Sequence, residues 1–192
     1  MTQEDNMQTD YQNTHNRVSL AGLEPLITAR WSPRAYLDTP VTQDELALVF
    51  EAARLSPSCY NEQPWRFYTS TDASYDHFLE LLVEGNQAWA KSAPVIGFVV
   101  ASRNFERNGK ENVHAAFDTG SAWMAMSLQA RALGLYTHGM GGIHYDRVYT
   151  ALGLDPDADQ VICGFTLGHV DPAGAEELSA RKPREAIWTA VS

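Results

Sequence analysis

VIGFVVA, residues 95–101, is apolar on both alternating faces of an extended chain. Successive side chains of a strand point to opposite faces, so this run predicts a central strand that is covered on both sides. Segments with helical spacing surround it and can supply the cover. The sequence therefore predicts an α+β fold in which helices pack on a sheet of four to five strands.

Helix and strand signals alternate along the rest of the chain. The stretch TQDE, residues 42–45, is a capping box and predicts the start of a helix. Pro57 ends that helical region, and Gly134 is typical of the residue after a helix. Helices are predicted from Leu23 to near Arg30 and over residues 43–54, 74–83, 112–133 and 146–152, and further strands over residues 66–69, 135–138 and 161–167.

The length of the chain fits one domain. With 192 residues and 44% hydrophobic content, it is long enough for one well-buried core and short for two. Residues 1–20 begin with a stretch rich in Gln, Asn, Asp and Thr, and they are predicted to form a polar, disordered tail. Residues 21–192 are predicted to form a single domain.

The chain is acidic, with 24 Asp and Glu against 14 Lys and Arg and a formal net charge of -10. Duplex nucleic acid and anionic membranes bind concentrated basic surfaces, so neither is expected as a partner. The sequence has no run of about eighteen apolar residues, and its N-terminus lacks the charged-then-apolar order of a signal peptide. We expect a soluble, cytoplasmic protein that acts on a small molecule.

Common catalytic and metal-binding motifs are missing from the sequence. Cys59 and Cys163 are far from C-x-x-C spacing, and the six histidines show no H-E-x-x-H or similar ligand spacing. There is no G-x-S-x-G elbow, and no P-loop or G-x-G-x-x-G loop follows a strand. No metal site is expected, and the chemistry has to be carried in some other way.

Two short motifs flank the predicted helix 43–54. The first is RWSPR, residues 30–34, and the second is SPSCYNEQPW, residues 56–65. Two arginines with a hydroxyl between them supply the charged and neutral donors that a phosphate group needs. The alternative for the arginines is a set of surface ion pairs with the abundant carboxylates. Together the motifs suggest a site for a phosphorylated aromatic cofactor.

The chain resembles the FMN-dependent nitroreductase family from Arg30 to about Arg184. The resemblance is carried, in the family's order, by R-x-S-x-R in residues 30–34, P-S-x-x-N-x-Q-P-W in residues 57–65, MGG in residues 140–142, and RKP in residues 181–183. One such match is weak, but four in order and spacing make a specific signal. The resemblance implies a nitroreductase-like fold with a central mixed, mostly antiparallel sheet, assembled as an intertwined homodimer.

The resemblance also implies which residues bind FMN. The phosphate and the ribityl chain are expected to be held by Arg30, Ser32, Arg34 and Arg181. The flavin ring is expected to be reached by Pro57, Ser58 and Asn61 from the partner subunit, by Asn86 near N1 and O2, and by Gly141 and Gly142 near N5 and O4. Simpler roles stay open: a helix C-terminal turn for the first three, an ordinary helix end for Asn86 and a flexible loop for the glycines.

Four features depart from the family pattern. Cys59 stands where a second small hydroxyl residue is common, and Trp31 stands where an arginine is frequent. Trp89 stands where some members have a basic residue; a cation beside N1 stabilises the anionic reduced flavin, so its absence is expected to lower the flavin potential. The segment 103–112 is short where larger relatives insert lid helices, which suggests an open or differently covered substrate pocket.

The function that the resemblance implies is that of an FMN-dependent oxidoreductase. NADH or NADPH would give a hydride to flavin N5 and leave, and a nitroaromatic, a quinone or an activated alkene would then be reduced in a ping-pong cycle. Because the flavin carries the redox chemistry, no catalytic side chain is expected. The alternatives are flavin destruction or reductive dehalogenation on the same fold, a non-enzymatic FMN-binding protein, and an α+β domain for another phosphorylated ligand.

Overall fold

The computed structural model describes residues 20–174 and 176–191. The predicted tail, residues 1–20, lies outside the described residues except for Leu20. Helices α1 to α6 span Pro25–Ala29, Gln43–Arg54, Tyr75–Glu80, Glu84–Ala90, Ala115–Ala132 and Tyr145–Leu152. Strands β1 to β4 span Trp65–Thr69, Val95–Ser102, Tyr136–Met140 and Asp159–Gly168, and single 3₁₀ turns cover Cys59–Asn61, Pro172–Gly174 and Arg184–Ala186.

The four strands form one sheet in the order β1-β2-β4-β3, and each neighbouring pair is antiparallel. The α+β class and the strand number agree with the prediction. The expected mixed character is not found in the described part of the chain, where no parallel pair occurs. When two strands that follow each other in the chain are antiparallel neighbours, the segment between them starts and finishes at the same end of the sheet. α3 with α4 connects β1 to β2 in this way, and α6 connects β3 to β4.

β2 separates two hydrophobic cores, one on each face of the sheet. Ile96, Phe98 and Val100 face the core formed with α3, α4 and α6. Val95 and Val99 face the core formed with α2 and α5. All residues of β2 except the last are buried, which confirms the predicted cover on both sides. Apolar burial stabilises by roughly 25 cal/mol per Å², so this strand is a main hydrophobic anchor of the fold.

A β-bulge in β4 distributes its side chains between the two cores. Along β2, the opposite residue in β4 jumps from Cys163 to Val161, so Ile162 is left unpaired. One extra residue reverses the alternation of side chains beyond it. Val161 therefore packs in the core with α3, α4 and α6, whereas Phe165 packs in the core with α2 and α5.

α2 begins where the capping box predicts. The Thr42 hydroxyl accepts a hydrogen bond from the Glu45 backbone N–H at 3.2 Å, and the Glu45 carboxylate accepts one from the Thr42 N–H at 2.8 Å. The bond from the backbone N–H is the main reason that the pKa of Glu45 lies below its usual value. The helix spans Gln43–Arg54, which confirms the predicted range.

The single helix predicted over residues 74–83 is confirmed as far as Glu80 and is wrong for residues 81–83. α3 ends before that range is complete, and the separate helix α4 follows after a break. In the break, Leu82 forms a β-bridge with Ile143, and the Val83 N–H donates to the Gly142 carbonyl at 3.1 Å. These contacts with a distant segment hold the chain extended, and local helix propensity does not reveal them.

α5 is the longest helix in the described ranges, with 18 residues. Its small buried side chains, such as Ala122 and Ala130, pack in the core beneath α2. Close approach of two helices needs small residues at the contact, and alanines supply them here. No helix of the described segments is both long and apolar enough to cross a membrane.

Gly97 provides a test of the packing around β2. A Cβ atom at this position would lie 2.5 Å from the carbonyl oxygen of Tyr68 and against the ring of Phe165. Gly97→Ala is therefore expected to lower the free energy of unfolding by about 1–3 kcal/mol, the usual cost of overpacking. Urea denaturation followed by circular dichroism measures the change.

Gly85→Ala is the matched control. A Cβ atom on Gly85 meets nothing within 4 Å, and the position lies in the first turn of α4. Alanine is favoured over glycine in helices, so this variant is expected to be as stable as the wild type or up to about 1 kcal/mol more stable. Equal denaturation midpoints for Gly97→Ala and the wild type would contradict the tight packing of β2.

Candidate functional site

The predicted phosphate motif is an extended segment whose side chains alternate between the interior and solvent. Pro33 disfavours helix for the residue before it and follows the end of α1. Trp31 and Pro33 are buried, whereas Arg30 is half-buried and Ser32 and Arg34 are exposed. Alternate residues of an extended chain lie on one face. The three polar side chains of the motif therefore share a face.

Trp31 anchors this segment in the protein interior. Its ring packs edge-on against Tyr136 at the start of β3, with 5.9 Å between the ring centroids. Val170 and Leu178 complete the small cluster. Trp31 is thus a core residue, and it leaves the outer face of the segment to its polar neighbours.

Arg30 and Arg181 lie close enough to influence each other electrostatically. Burial lowers the pKa of Arg30, and the charge of Arg181 lowers it further. The Arg30 guanidinium also donates to the Ser32 hydroxyl at 3.5 Å. These three residues line a cavity of about 80 Å³ together with Trp31 and residues 176–179. Glu176 and Glu177 line the same cavity, so an anion that binds the two arginines there would compete with these carboxylates.

An acidic side chain also reaches this part of the surface. Arg34 forms an ion pair with Glu176, with 3.5 Å between Nη1 and Oε1, and both side chains are about half exposed. The surface ion pair considered as an alternative for the arginines is therefore present at Arg34. Such a pair contributes roughly 0–1 kcal/mol, so a phosphate can displace the carboxylate at little cost. We call Arg30, Ser32, Arg34 and Arg181 the arginine cluster.

His138 joins the arginine cluster to the sheet, and the sequence analysis did not single it out. Its Nδ1 lies 2.8 Å from the carbonyl oxygen of Pro33. Its ring stacks on that of Trp89 in α4, with 4.6 Å between the centroids and 29° between the planes. Burial is the main cause that lowers the pKa of His138. The stack connects the arginine cluster to α4.

Asn86 in α4 holds the loop that follows β3. Its Nδ2 donates to the Gly142 carbonyl at 2.9 Å, and its Oδ1 accepts a hydrogen bond from Trp89 Nε1 at 3.3 Å. Asn86 therefore does more than end a helix, because it ties α4 to the glycine loop, residues 141–142. One amide hydrogen and one acceptor lone pair remain for a ligand.

The two glycines of this loop have different surroundings. A Cβ atom on Gly142 would lie 2.5 Å from Asn86 Nδ2 and 2.9 Å from Val83 Cγ2, so the packing of α4 requires glycine there. A Cβ atom on Gly141 would meet nothing within 4 Å. Of the two, Gly141 has the open space at its Cα that a flat ring needs.

Pro57, Ser58 and Asn61 belong to another part of the protomer. Pro57 and Ser58 line a cavity of about 320 Å³ with side chains at the start of α5, among them Phe117. No member of the arginine cluster lines this cavity. Within one chain, contacts through Trp89 and His138 therefore link Asn86 and the glycine loop to the segment of the arginine cluster. Pro57 and Ser58 of the second motif line a separate cavity.

The Ser58–Gln63 loop has an uncommon backbone conformation. Tyr60, Asn61 and Gln63 have φ angles of 54°, 58° and 53°, in the left-handed region that residues other than glycine rarely adopt. The Gln63 N–H donates to the Ser58 hydroxyl at 2.9 Å, and the Gln63 side-chain amide donates to the Asn61 carbonyl at 3.0 Å. Strain of this kind costs of order 1–3 kcal/mol per residue and is typical of sites that need a fixed shape.

Asp118 in α5 holds this loop in place, and it is a second residue that the sequence analysis missed. Its Oδ2 accepts a hydrogen bond from the Cys59 N–H at 3.0 Å, and the residue is only 4% exposed. A signal was available, because Ala115, Asp118 and Ala122 fall at helical spacing on the buried face of α5. A carboxylate on a buried face needs a hydrogen-bond partner.

The chemistry of these groups suits one class of ligand. The arginine cluster offers cations and a hydroxyl, which match a phosphate dianion. Gly141 offers open space at its Cα, and Asn86 offers amide groups, which match the face and the edge of an aromatic ring. The described residues contain no group of three or more side chains able to hold a metal ion. The arrangement fits a ligand with a phosphate at one end and an aromatic ring at the other.

Known proteins with similar sequences or structures agree with this chemistry. The family model described as the nitroreductase family matches residues 27–169. A Bacillus subtilis (strain 168) protein named as an FMN reductase that uses NAD(P)H is 28% identical over 178 residues, which cover 84% of this chain and 70% of the relative. A Xanthomonas oryzae pv. oryzae (strain PXO99A) protein, whose name proposes NADH dehydrogenase or NAD(P)H nitroreductase activity, is 30% identical over 87% of this chain and 93% of its own.

A solved structure extends the comparison to three dimensions. The crystal structure of an oxidoreductase that contains FMN is 35% identical to this chain and has a TM-score of 0.84. The match covers 93% of this chain and 96% of the other. The whole domain, and not the motifs alone, is therefore similar to that of a flavoprotein.

Asp118→Ala tests whether this carboxylate fixes the Ser58–Gln63 loop. Without the acceptor, the Cys59 amide is expected to exchange with solvent at least about tenfold faster, because a hydrogen bond to a charged group contributes roughly 1.5–3 kcal/mol. Hydrogen exchange followed by NMR measures the rate. Asp118→Asn keeps an acceptor oxygen and is expected to give an intermediate rate; equal exchange in all three proteins would show that the loop does not depend on Asp118.

Proposed function

The chain belongs to the nitroreductase family, and from this premise we propose that it is an FMN-dependent oxidoreductase which takes electrons from NADH or NADPH. The acceptor is a nitroaromatic, a quinone or an activated alkene. The Bacillus subtilis FMN reductase and the FMN-containing oxidoreductase support both the cofactor and the reaction class.

One observation carries this proposal, the closeness of two cationic side chains at a small cavity. Arg30 and Arg181 line it together, and after burial the charge of Arg181 is the second cause that lowers the pKa of Arg30. A phosphate dianion there would make charge-assisted contacts with both guanidinium groups, in competition with Glu176 and Glu177 of the same lining. The Ser32 hydroxyl at the same cavity adds a neutral donor. The whole chain has only 14 Lys and Arg residues, so the presence of two arginines at one small cavity favours a role for them in ligand binding.

The chain's residues have binding and orienting roles in this proposal. FMN supplies, when bound, the capacity to accept and to donate a hydride. The arginine cluster would hold the phosphate and the ribityl chain. Asn86, through its remaining amide hydrogen and lone pair, would orient the pyrimidine edge of the ring, and Gly141 would allow the ring to lie against the backbone. No described side chain needs to act as nucleophile or general acid.

A second copy of the chain would complete the site. Large apolar side chains are exposed beside the second motif: Leu55, Tyr60, Val113 and Phe117 are each between 69% and 79% exposed. Exposed apolar surface of this extent is typical of protein interfaces. Pro57, Ser58 and Asn61 lie at this surface and away from the arginine cluster, which supports their assignment to the flavin site of the partner in a homodimer.

The cytoplasm is the proposed location. Cys59 and Cys163 are both free thiols, which suits a reducing compartment. Burial raises the pKa of the Cys163 thiol to about 11, so this cysteine stays protonated and unreactive in the core.

Arg34→Ala and Arg181→Ala are expected to weaken FMN binding about 10- to 100-fold each, because each removes a charge-assisted contact to phosphate. Fluorescence titration of the FMN-free protein measures the dissociation constant. Arg147→Ala removes an exposed charge from α6 and serves as the control, with no expected change. Unchanged FMN affinity in both cluster variants would sink the assignment of the phosphate site.

Phe117→Asp tests the role of a second copy. The side chain is 79% exposed in the protomer, so the fold does not need it. If the interface lies there and completes the flavin site, the variant is expected to be a monomer in analytical ultracentrifugation and to lose bound FMN. Tyr145→Asp changes a side chain that is 41% exposed on α6 and is expected to change neither property. A dimeric, flavin-loaded Phe117→Asp protein would contradict the proposed interface.

The oxidoreductase assignment itself is tested by the visible spectrum of the purified protein before and after anaerobic addition of NADH or NADPH. We expect flavin absorbance that bleaches with at least one nicotinamide and returns on addition of a quinone or a nitroaromatic. Flavin that resists bleaching would favour a non-enzymatic FMN-binding protein. Failure to take up FMN at all would overturn the proposed function.

A further inference from the structure

We propose that His138 is a positioning residue of the FMN site and that its imidazole takes up a proton when FMN binds. The proposal rests on the proposed function, because it assumes that the arginine cluster receives the phosphate. It goes beyond that function by making FMN affinity depend on the protonation of one side chain.

Geometry identifies the nitrogen that titrates. His138 Nδ1 lies 2.8 Å from the carbonyl oxygen of Pro33. A carbonyl oxygen only accepts hydrogen bonds, so Nδ1 carries a hydrogen in both the neutral and the charged ring. Nε2 is therefore the atom that gains or loses the proton. The bond also fixes the ring beside the peptide that joins Pro33 to Arg34.

The charged groups around His138 come from two segments. Arg34 and Arg30 belong to the phosphate motif, and Glu176 follows the Pro172–Gly174 turn. The other elements packed on the ring contribute neutral partners, Trp89 from α4 and the cross-strand neighbour Thr166 from β4. The imidazole thus lies within the electrostatic reach of the arginine cluster and of one carboxylate.

These surroundings keep the imidazole neutral before a ligand binds. Burial lowers the pKa of His138 most, and the charges of Arg34 and Arg30 lower it further. The hydrogen bond to Pro33 and the charge of Glu176 act in the opposite direction without reversing the result. At neutral pH the ring is therefore uncharged, and its contact with Trp89 is a stack of two neutral aromatic rings.

A bound phosphate changes this balance. Its two negative charges would offset the positive charges of Arg30 and Arg34, which lower the pKa of His138, and they would exceed the single charge of Glu176 that the phosphate displaces from Arg34. The pKa in the complex is then higher than in the free protein. The stack with Trp89 is present before the ligand binds, so the change in the pKa comes from the phosphate.

Linkage fixes the direction of the pH dependence. A group whose pKa rises on binding strengthens binding below the pKa of the free protein, and the added affinity is lost as the pH rises through the pKa of the complex. A rise of about one unit corresponds to a tenfold change in affinity. The phosphate of FMN also ionises near pH 6 and acts in the opposite direction, so a variant with the same ligand is needed to separate the two effects.

His138→Asn is the variant that separates the two roles. Its side-chain amide can still donate to the Pro33 carbonyl, but it cannot be protonated. The ratio of FMN dissociation constants, His138→Asn over wild type, cancels the ionisation of FMN. We expect this ratio to fall about tenfold between pH 5 and pH 8. His77→Asn, on the exposed face of α3, is the control and is expected to give a constant ratio near one.

NMR titration of the wild-type histidines gives an independent measurement. We expect inorganic phosphate and FMN each to raise the pKa of His138 by about one unit, and riboflavin, which has no phosphate, to leave it unchanged. His138→Asn identifies the resonance. If FMN binds while the pKa of His138 stays constant and the ratio is flat, the proton linkage is wrong and the proposed function stands. If FMN does not bind to the wild type, the proposed function fails first.

Discussion

The rest of the structure depends on the burial of β2 on both faces and along both edges. A buried backbone needs partners for every N–H and C=O group, and β1 and β4 supply them on the two sides. Its two apolar faces need two separate layers of helices, which α2 with α5 and α3, α4 with α6 provide. Because β1 and β4 flank β2, β3 pairs with the other side of β4 and lies at the edge of the sheet.

The candidate site is formed by segments that pack near β3 and near the end of β4. The carbonyl oxygen of Pro33 meets the side chain of His138, and Tyr36 forms a β-bridge with Val170 just beyond β4. The buried Tyr36 hydroxyl adds a 2.7 Å hydrogen bond to Thr166, and burial keeps its pKa well above the usual range. An exposed sheet edge is commonly covered by another segment. Here the segment that carries the arginines is held to β3 through His138 and to the chain beyond β4 through Tyr36, so these contacts also place the cations.

The positions of several helices and strands could be predicted because the sequence patterns that indicate them lie within a few residues. The capping box defined the start of α2, and the two-sided apolar pattern of residues 95–101 defined β2. The break between α3 and α4 was missed because it depends on Ile143 and Gly142, about sixty residues further along the chain. His138 was missed for the same reason: its partners come from two distant segments, and no spacing in the sequence relates them. Asp118 was predictable in principle, since helical periodicity alone places its carboxylate on a buried face.

The stack of His138 on Trp89 places a titratable side chain close to position 89, where the resemblance allows a basic residue. The resemblance of the sequence places Trp89 where some family members carry a cation, and a tryptophan alone would leave the ring end of the proposed site without positive charge. The structure stacks an imidazole on that tryptophan, with the ring held by a backbone carbonyl of the phosphate motif. A lysine or arginine is charged at every physiological pH, whereas an imidazole is charged only when its surroundings favour it. In the proposed site, the surroundings include the ligand itself. In the proposed site, a permanent charge is replaced by one that depends on FMN binding, and the contacts from Pro33 through His138 and Trp89 to Asn86 connect the phosphate end to the ring end.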